Sequence, residues 1–198
     1  MNVLKTTLLA TALFASFPMV AQAESQFVAG AGNAEAKLDF RITIPRILFL
    51  RVGSSNATVD LIDFAPAAAT LGDSSVVAGV GGDLGGGAVT AQVRGNNGTI
   101  TLVANTAGAL SNGAGDTIPY SQIITTPTAL NSALVLGAPT LANGASAPVT
   151  VTPAAGTKVI DRDARWTFTY ANSAVVAPGT YGGVNTNNGR VTYTASMP

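Results

Sequence analysis

The sequence predicts an all-β fold, a single β-sandwich of about seven to nine strands that follows an export signal. Three observations predict it. Apolar and polar residues alternate with period two through much of the chain, the repeat that turns one side of a strand to a core and the other to water. Helical spacing of apolar residues is nearly absent. The alternating runs are short, and glycine, asparagine and proline clusters separate them, residues that supply turn conformations or interrupt a ladder.

Residues 1–23 read as a cleavable signal peptide. Lys5 precedes an apolar stretch over residues 8–20, and Ala21-Gln22-Ala23 supplies the small-x-small pattern that a signal peptidase accepts. The stretch is too short to span a bilayer comfortably and no basic stop-transfer cluster follows, so no transmembrane segment is expected in the mature chain. Residues 24–36 read as a flexible N-terminal segment, and residues 37–198 as the sandwich domain.

Within the domain, residues 37–44 alternate almost ideally. Leu38, Phe40, Ile42 and Ile44 share one face, and Lys37, Asp39, Arg41 and Thr43 share the other. Pro45 then breaks the ladder. The apolar run over residues 47–50 predicts a strand covered on both faces. Residues 58–64 predict a strand with Val59 and Leu61 inward. Residues 79–87, rich in glycine, lack the Lys-Ser/Thr ending of a phosphate loop and read as a flexible connection whose glycines let two backbones approach. Val89, Ala91 and Val93, the turn residues Gly95-Asn96-Asn97-Gly98, and then Ile100 and Leu102 predict a hairpin. Short strands are expected at residues 118–124, 134–136 and 149–151. Residues 165–170 place Trp166, Phe168 and Tyr170 on one face, and residues 190–197 do the same for Val191, Tyr193, Ala195 and Met197.

An outer-membrane barrel needs strands of about ten residues with lipid-facing apolar bands and aromatic girdles. The runs here are shorter, and aromatic residues make up only 6% of the chain.

Composition excludes much chemistry. Ten basic and ten acidic residues cancel, with no basic patch to suggest nucleic acid and no acidic tail. Cysteine and histidine are both absent, which removes disulfides, Ser-His-Asp and Cys-His triads and the usual zinc and copper sites. No catalytic residue, cofactor or metal is expected, and the chain does not read as an enzyme. Asp60 with Asp63, and Asp161 with Asp163, are the carboxylate pairs suited in principle to glycosidic acid–base work or to calcium. Neither lies in a D-x-D-x-D-G loop, and residues 161–163 read as a charged turn before the Trp166 strand. Trp166, Tyr120, Tyr170, Tyr181 and Tyr193 are candidates for a sugar-stacking platform, although alternating aromatics in a sandwich more often pack its core.

Two segments carry a resemblance. Leu38-Asp39-Phe40-Arg41-Ile42-Thr43-Ile44-Pro45 followed by Arg46-Ile47-Leu48-Phe49-Leu50 resembles the start of the cysteine-free major pilins of the alternate chaperone–usher, or α-fimbrial, class. Ala177-Pro178-Gly179-Thr180-Tyr181, followed by the strand from Arg190, is similar to the closing segment of fimbrial subunits and of spore-coat-U-like secreted domains. The chain departs from the pilin pattern in the residues before its donor-like strand and in an Asn/Gly-rich insertion over residues 184–189.

The resemblance implies a pilin-like or Ig-like sandwich that lacks its own last strand. It implies a subunit of a fibre built by β-strand exchange, with Leu38, Phe40, Ile42 and Ile44 as donor-strand residues. The partners it implies are further copies of the chain, a periplasmic chaperone and an outer-membrane usher, and the destination is the periplasm and then the cell surface. The alternative is a self-contained secreted Ig-like sandwich that binds a protein or a glycan.

Exported material should begin at Glu24, because Ala21-Gln22-Ala23 is the only well-placed processing site after the apolar run. Intact mass spectrometry checks this, and mature material that retains Met1 would contradict it.

Overall fold

The computed structural model describes residues 26–198. The signal peptide expected at residues 1–23 lies outside the described residues. The chain divides into two units, Met1–Ile44 and Pro45–Pro198. In the first, residues 26–44 form no strand, and a bend at residues 30–32 accompanies a hydrogen bond from the Glu35 amide to Gln26 Oε1.

The second unit is all-β. Its strands are β1 (Leu48–Val52), β2 (Ile62–Asp63), β3 (Val77–Ala78), β4 (Val80–Gly81), β5 (Ala88–Gly95), β6 (Ile100–Thr106), β7 (Leu110–Ser111), β8 (Thr117–Ile118), β9 (Ile123–Thr128), β10 (Val149–Val151), β11 (Ile160–Tyr170) and β12 (Val191–Ser196). Seven of these have three residues or more, within the range the alternation predicts. Two short 3₁₀ turns, Ala68–Thr70 and Tyr120–Gln122, are the helical content among the described residues, and no described helix is long and apolar enough to cross a membrane.

Two antiparallel sheets make the sandwich. One runs β1-β5-β11, with β9 and β3 also paired to β11, and the other runs β10-β6-β12. Val89, Ala91 and Val93 from β5, Ile100, Leu102 and Ala104 from β6, and Ala164, Trp166 and Phe168 from β11 fill the space between them, all buried. Trp166 is fully buried; its ring lies 5.4 Å from that of Tyr193 on β12, and its Nε1–H donates to the Leu136 carbonyl at 2.9 Å. The faces expected for residues 165–170 and 190–197 are the ones observed.

Several expectations need correction. The segment 89–104 is not a hairpin, because β5 and β6 lie in opposite sheets. A two-residue hairpin turn favours left-handed backbone at its central residues. Asn96 and Asn97 do not adopt it, and only Gly98 does, with φ +98°. The connection therefore arches from one sheet to the other, which lets both strands turn apolar residues to one core.

β1 is an edge strand rather than a doubly covered one; Leu48 and Phe49 remain 40% and 45% exposed. Over residues 58–64 only Ile62–Asp63 forms a strand, and the phase is reversed. Ile62 and Phe64 pack on the core, whereas Val59 and Leu61 are exposed. Residues 118–124 split into β8, a 3₁₀ turn and the start of β9, and residues 134–136 form no strand although Leu136 is buried. Residues 161–163 are no turn: they belong to β11, where Asp161, Arg162 and Asp163 pair with Arg94, Val93 and Gln92 of β5.

The glycine-rich stretch is structured, not merely flexible, and its close approach is realised. The Phe168 amide donates to the Gly87 carbonyl at 2.8 Å, and the Phe168 carbonyl accepts from the Gly79 amide at 3.3 Å. A Cβ on Gly87 would sit 2.6 Å from the Gly79 Cα, so a side chain there has no room.

Trp166→Ala should cost roughly 3–5 kcal/mol, since it removes a fully buried ring and leaves the Leu136 carbonyl without its donor. Denaturant unfolding measures this, and an unchanged midpoint would contradict the packing described.

Candidate functional site

A sandwich has exposed edges, and proteins blunt them to prevent unwanted pairing. Here β9 contains Pro127, and β10 is bracketed by Pro148 and Pro153. A proline cannot donate to an added strand. β1 and β12 contain no proline, and β12 no charged residue. Among the described residues each pairs on one side only, β1 with β5 and β12 with β6, and the two edge strands lie next to each other across the sandwich. Their inner faces are incompletely covered. Leu50 and Val52 of β1, and Val191, Tyr193, Ala195 and Met197 at β12, pack against the core yet stay partly exposed. The result is a pair of neighbouring, proline-free edge strands whose inner faces are only partly covered.

The foot of this edge is fixed by polar contacts. Asn96 Oδ1 accepts from the Ile47 amide at 2.9 Å, and its Nδ2 donates to the Pro45 carbonyl at 2.8 Å. The Arg46 guanidinium and Asn97 Nδ2 both donate to the Pro198 carbonyl, each at 2.7 Å. The side-chain amide of Asn96 thus continues the β1–β5 ladder one step past the Leu48–Gly95 pair.

In the first unit, the donor-strand candidates carry their apolar side chains uncovered. Leu38 and Ile44 are each 76% exposed, and Phe40 and Ile42 each 85%. Residues 37–44 belong to no sheet.

The closing motif has a structural role. Tyr181 Oη donates to the Ala177 carbonyl at 2.8 Å, which closes the Pro178-Gly179-Thr180-Tyr181 turn on itself, and the Gly182 amide donates to the Ser111 carbonyl of β7. The Asn/Gly insertion is also tied down. Asn185, Asn187 and Asn188 take left-handed backbone, Tyr120 Oη donates to the Asn188 carbonyl at 2.7 Å, and Asn188 Nδ2 donates to the Ala109 carbonyl. Burial pushes the Tyr120 phenol up to about 12 and raises Tyr193 as well, so both are neutral at ordinary pH.

The carboxylates do not form a site. Asp60 accepts from the Ser54 amide and hydroxyl, Asp63 from the Phe64 amide, and Asp161 pairs with Arg94 at 3.0 Å on the surface. Asp163 is buried, not a surface charge. It accepts from the Asn131 amide and side chain and from the Ser132 amide, and so fastens the loop after β9. Burial alone would raise its pKa, but the hydrogen bonds from Asn131 and Ser132 outweigh that and hold the carboxyl at about 2. No group of acidic residues among those described is arranged to hold a metal ion. Two shallow concavities, of about 310 Å³ at Thr99, Thr101 and Met197 and about 280 Å³ around residues 185–190, bring no acid and base together. The aromatic candidates likewise do not assemble into a platform: Trp166, Tyr120 and Tyr170 are buried.

Comparison of the chain with protein-family models, with curated proteins and with solved structures finds no match.

The sequence names the apolar face of residues 37–44 but not the edge between β1 and β12, nor the Asn96 clamp. The prolines at 127, 148 and 153 were a readable signal for which edges are closed. The amide bridge was not, because Asn96 sits in a run that spacing assigns to a turn.

Asp163→Asn should lower stability by about 1–3 kcal/mol at neutral pH by weakening a buried hydrogen-bond cluster. Asp163 has a depressed folded pKa, so its contribution is present above about 3.8 and is lost as pH falls toward 2. The gap between wild type and Asp163→Asn should therefore close between pH 4 and pH 2 in urea titrations; a constant gap would contradict the assignment.

Proposed function

We propose that the chain is a structural subunit of a secreted surface fibre, assembled when residues 37–44 of one copy add as a strand to the open edge between β1 and β12 of another. The observation that carries this is the pairing of opposites within one sequence. An alternating segment leaves Leu38, Phe40, Ile42 and Ile44 uncovered, and a sandwich closes two of its edges with proline while leaving apolar ones open.

In strand addition, main-chain hydrogen bonds supply affinity and alternate side chains fill the core face. Each of the four apolar residues would contribute about 1.5–3 kcal/mol on burial, set against the cost of ordering the segment. Repetition of one head-to-tail contact gives a filament rather than a closed ring when its rotation does not close. The resemblance to α-fimbrial subunits adds the route: export to the periplasm, protection of the open edge by a chaperone, and delivery through an outer-membrane usher to the cell surface. No catalytic role is part of this reading.

Phe40→Asp with Ile42→Asp tests it. Each substitution removes apolar burial and places a charge where a core face would lie, so polymer formation should fall at least tenfold per substitution. Negative-stain microscopy and size-exclusion chromatography give the readout. A wild-type protein that remains a stable monomer under export conditions with its chaperone and usher present would overturn the reading in favour of a self-contained binding domain.

A further inference from the structure

The edge between β1 and β12 starts only a few residues from the segment proposed to fill it in a neighbour, and a chain so built is open to filling its own edge. We propose that Asn96 is a positioning residue that blocks this self-insertion and reserves the edge for a second copy. The inference rests on the strand-addition reading above.

For residues 37–44 to lie along the free side of β1, the backbone must reverse between Ile44 and Leu48. The tight turns that suit hairpins need left-handed backbone at their central positions. Pro45 is locked at a φ of about −65° and is barred from that region, and neither Arg46 nor Ile47 adopts it. The remaining short route is an unprimed turn over residues 44–47, in which proline is well suited to the second position. That turn is closed by a hydrogen bond from the Ile47 amide to the Ile44 carbonyl. The Ile47 amide is already donated to Asn96 Oδ1 at 2.9 Å.

The second arm of the clamp acts in the same direction. Asn96 Nδ2 holds the Pro45 carbonyl at 2.8 Å, which keeps residues 45–47 extended in continuation of β1. Asn97 and Arg46 add a second anchorage at Pro198, so the ends of β1 and β12 are held by adjacent residues of one β5–β6 connection. Reversal must break both Asn96 hydrogen bonds and leave the side-chain amide to water. A second copy donates its strand without disturbing either bond.

The test compares the full exported chain with Asn96→Ala and Asn96→Asp, refolded at concentrations low enough to stay monomeric. Amide hydrogen exchange over residues 37–44 reports self-insertion, and a fluorescent peptide of residues 37–44 reports whether the edge is free. In wild type the segment should exchange without protection and the peptide should bind. Asn96→Ala should protect the segment about tenfold or more and weaken peptide binding by a similar factor. Asn96→Asp keeps an acceptor for the Ile47 amide but loses the donor to the Pro45 carbonyl, so it should fall between wild type and Asn96→Ala in both readouts. Unchanged Trp166 fluorescence shows that each variant is folded, and Asn96→Ser replaces the alanine variant should that one fail to fold. Equal exposure and equal peptide binding in wild type and Asn96→Ala overturn the inference and leave strand addition standing. Protection of the segment in monomeric wild type overturns it too. A peptide that binds none of these proteins removes the strand-addition reading itself, and the inference with it.

Discussion

The sandwich depends on satisfying one buried donor. The indole of Trp166 is wholly enclosed, and a buried N–H without an acceptor costs about 1–3 kcal/mol. Its acceptor is the Leu136 carbonyl, in a segment without regular structure. That segment must therefore be held in place, and β11 itself does the holding. The Leu136 amide donates to the Asp163 carbonyl, and the Asp163 carboxylate collects the amides of Asn131 and Ser132. Strand residues three apart thus secure the loop and use it. On the other side, the indole ring meets Tyr193 and couples the first sheet to β12.

This dependence explains which parts of the fold were legible. In β5, β6, β11 and β12 apolar and polar residues largely alternate, with Ala88, Val103 and Arg162 out of pattern, so one arrangement of a half-buried strand buries most of the apolar set. Sheet membership is a different matter. Gly95-Asn96-Asn97-Gly98 has a composition that serves a hairpin or an arch equally well. The choice was made by partners far along the chain, Pro45, Ile47 and Pro198, which capture the asparagine side chains. Over residues 58–64 alternation is present in both phases, since Val59 and Leu61 are matched by Ile62 and Phe64. Packing of Phe64 against Tyr170, with ring centres 6.3 Å apart, selects the second.

The candidate site was half legible for a related reason. An alternating segment announces its apolar face directly, and residues 37–44 do so. An open edge announces itself only through what is missing, and absence of a partner strand has no local signature. The prolines come closest to one. Pro127, Pro148 and Pro153 make β9 and β10 poor templates, and the contrast with β1 and β12 becomes visible only once the sheet order is known. Asp163 shows the converse limit: its charged run reads as a turn, yet a full set of hydrogen-bond donors makes its burial within a strand tolerable.

The distribution of burial also separates holding the fold from completing it. The fully covered side chains come chiefly from β5, β6 and β11, the strands flanked on both sides, whereas Leu50, Val52, Val191 and Ala195 on the open edge are only partly covered. Apolar surface left in water forgoes about 25 cal/mol per Å² of stabilisation, so the open edge is a place where added contact has something to gain. Leu50, Val52, Val191 and Ala195 lie at the margin of the core, and Tyr193 joins that margin to the Trp166 ring. Regions with few buried contacts open at lower free energy than the core. β1 and β12 are therefore expected to open before β5, β6 and β11, which close around the indole. The two neighbouring edge strands are anchored at one end by Arg46, Asn96, Asn97 and Pro198, which fixes their spacing there.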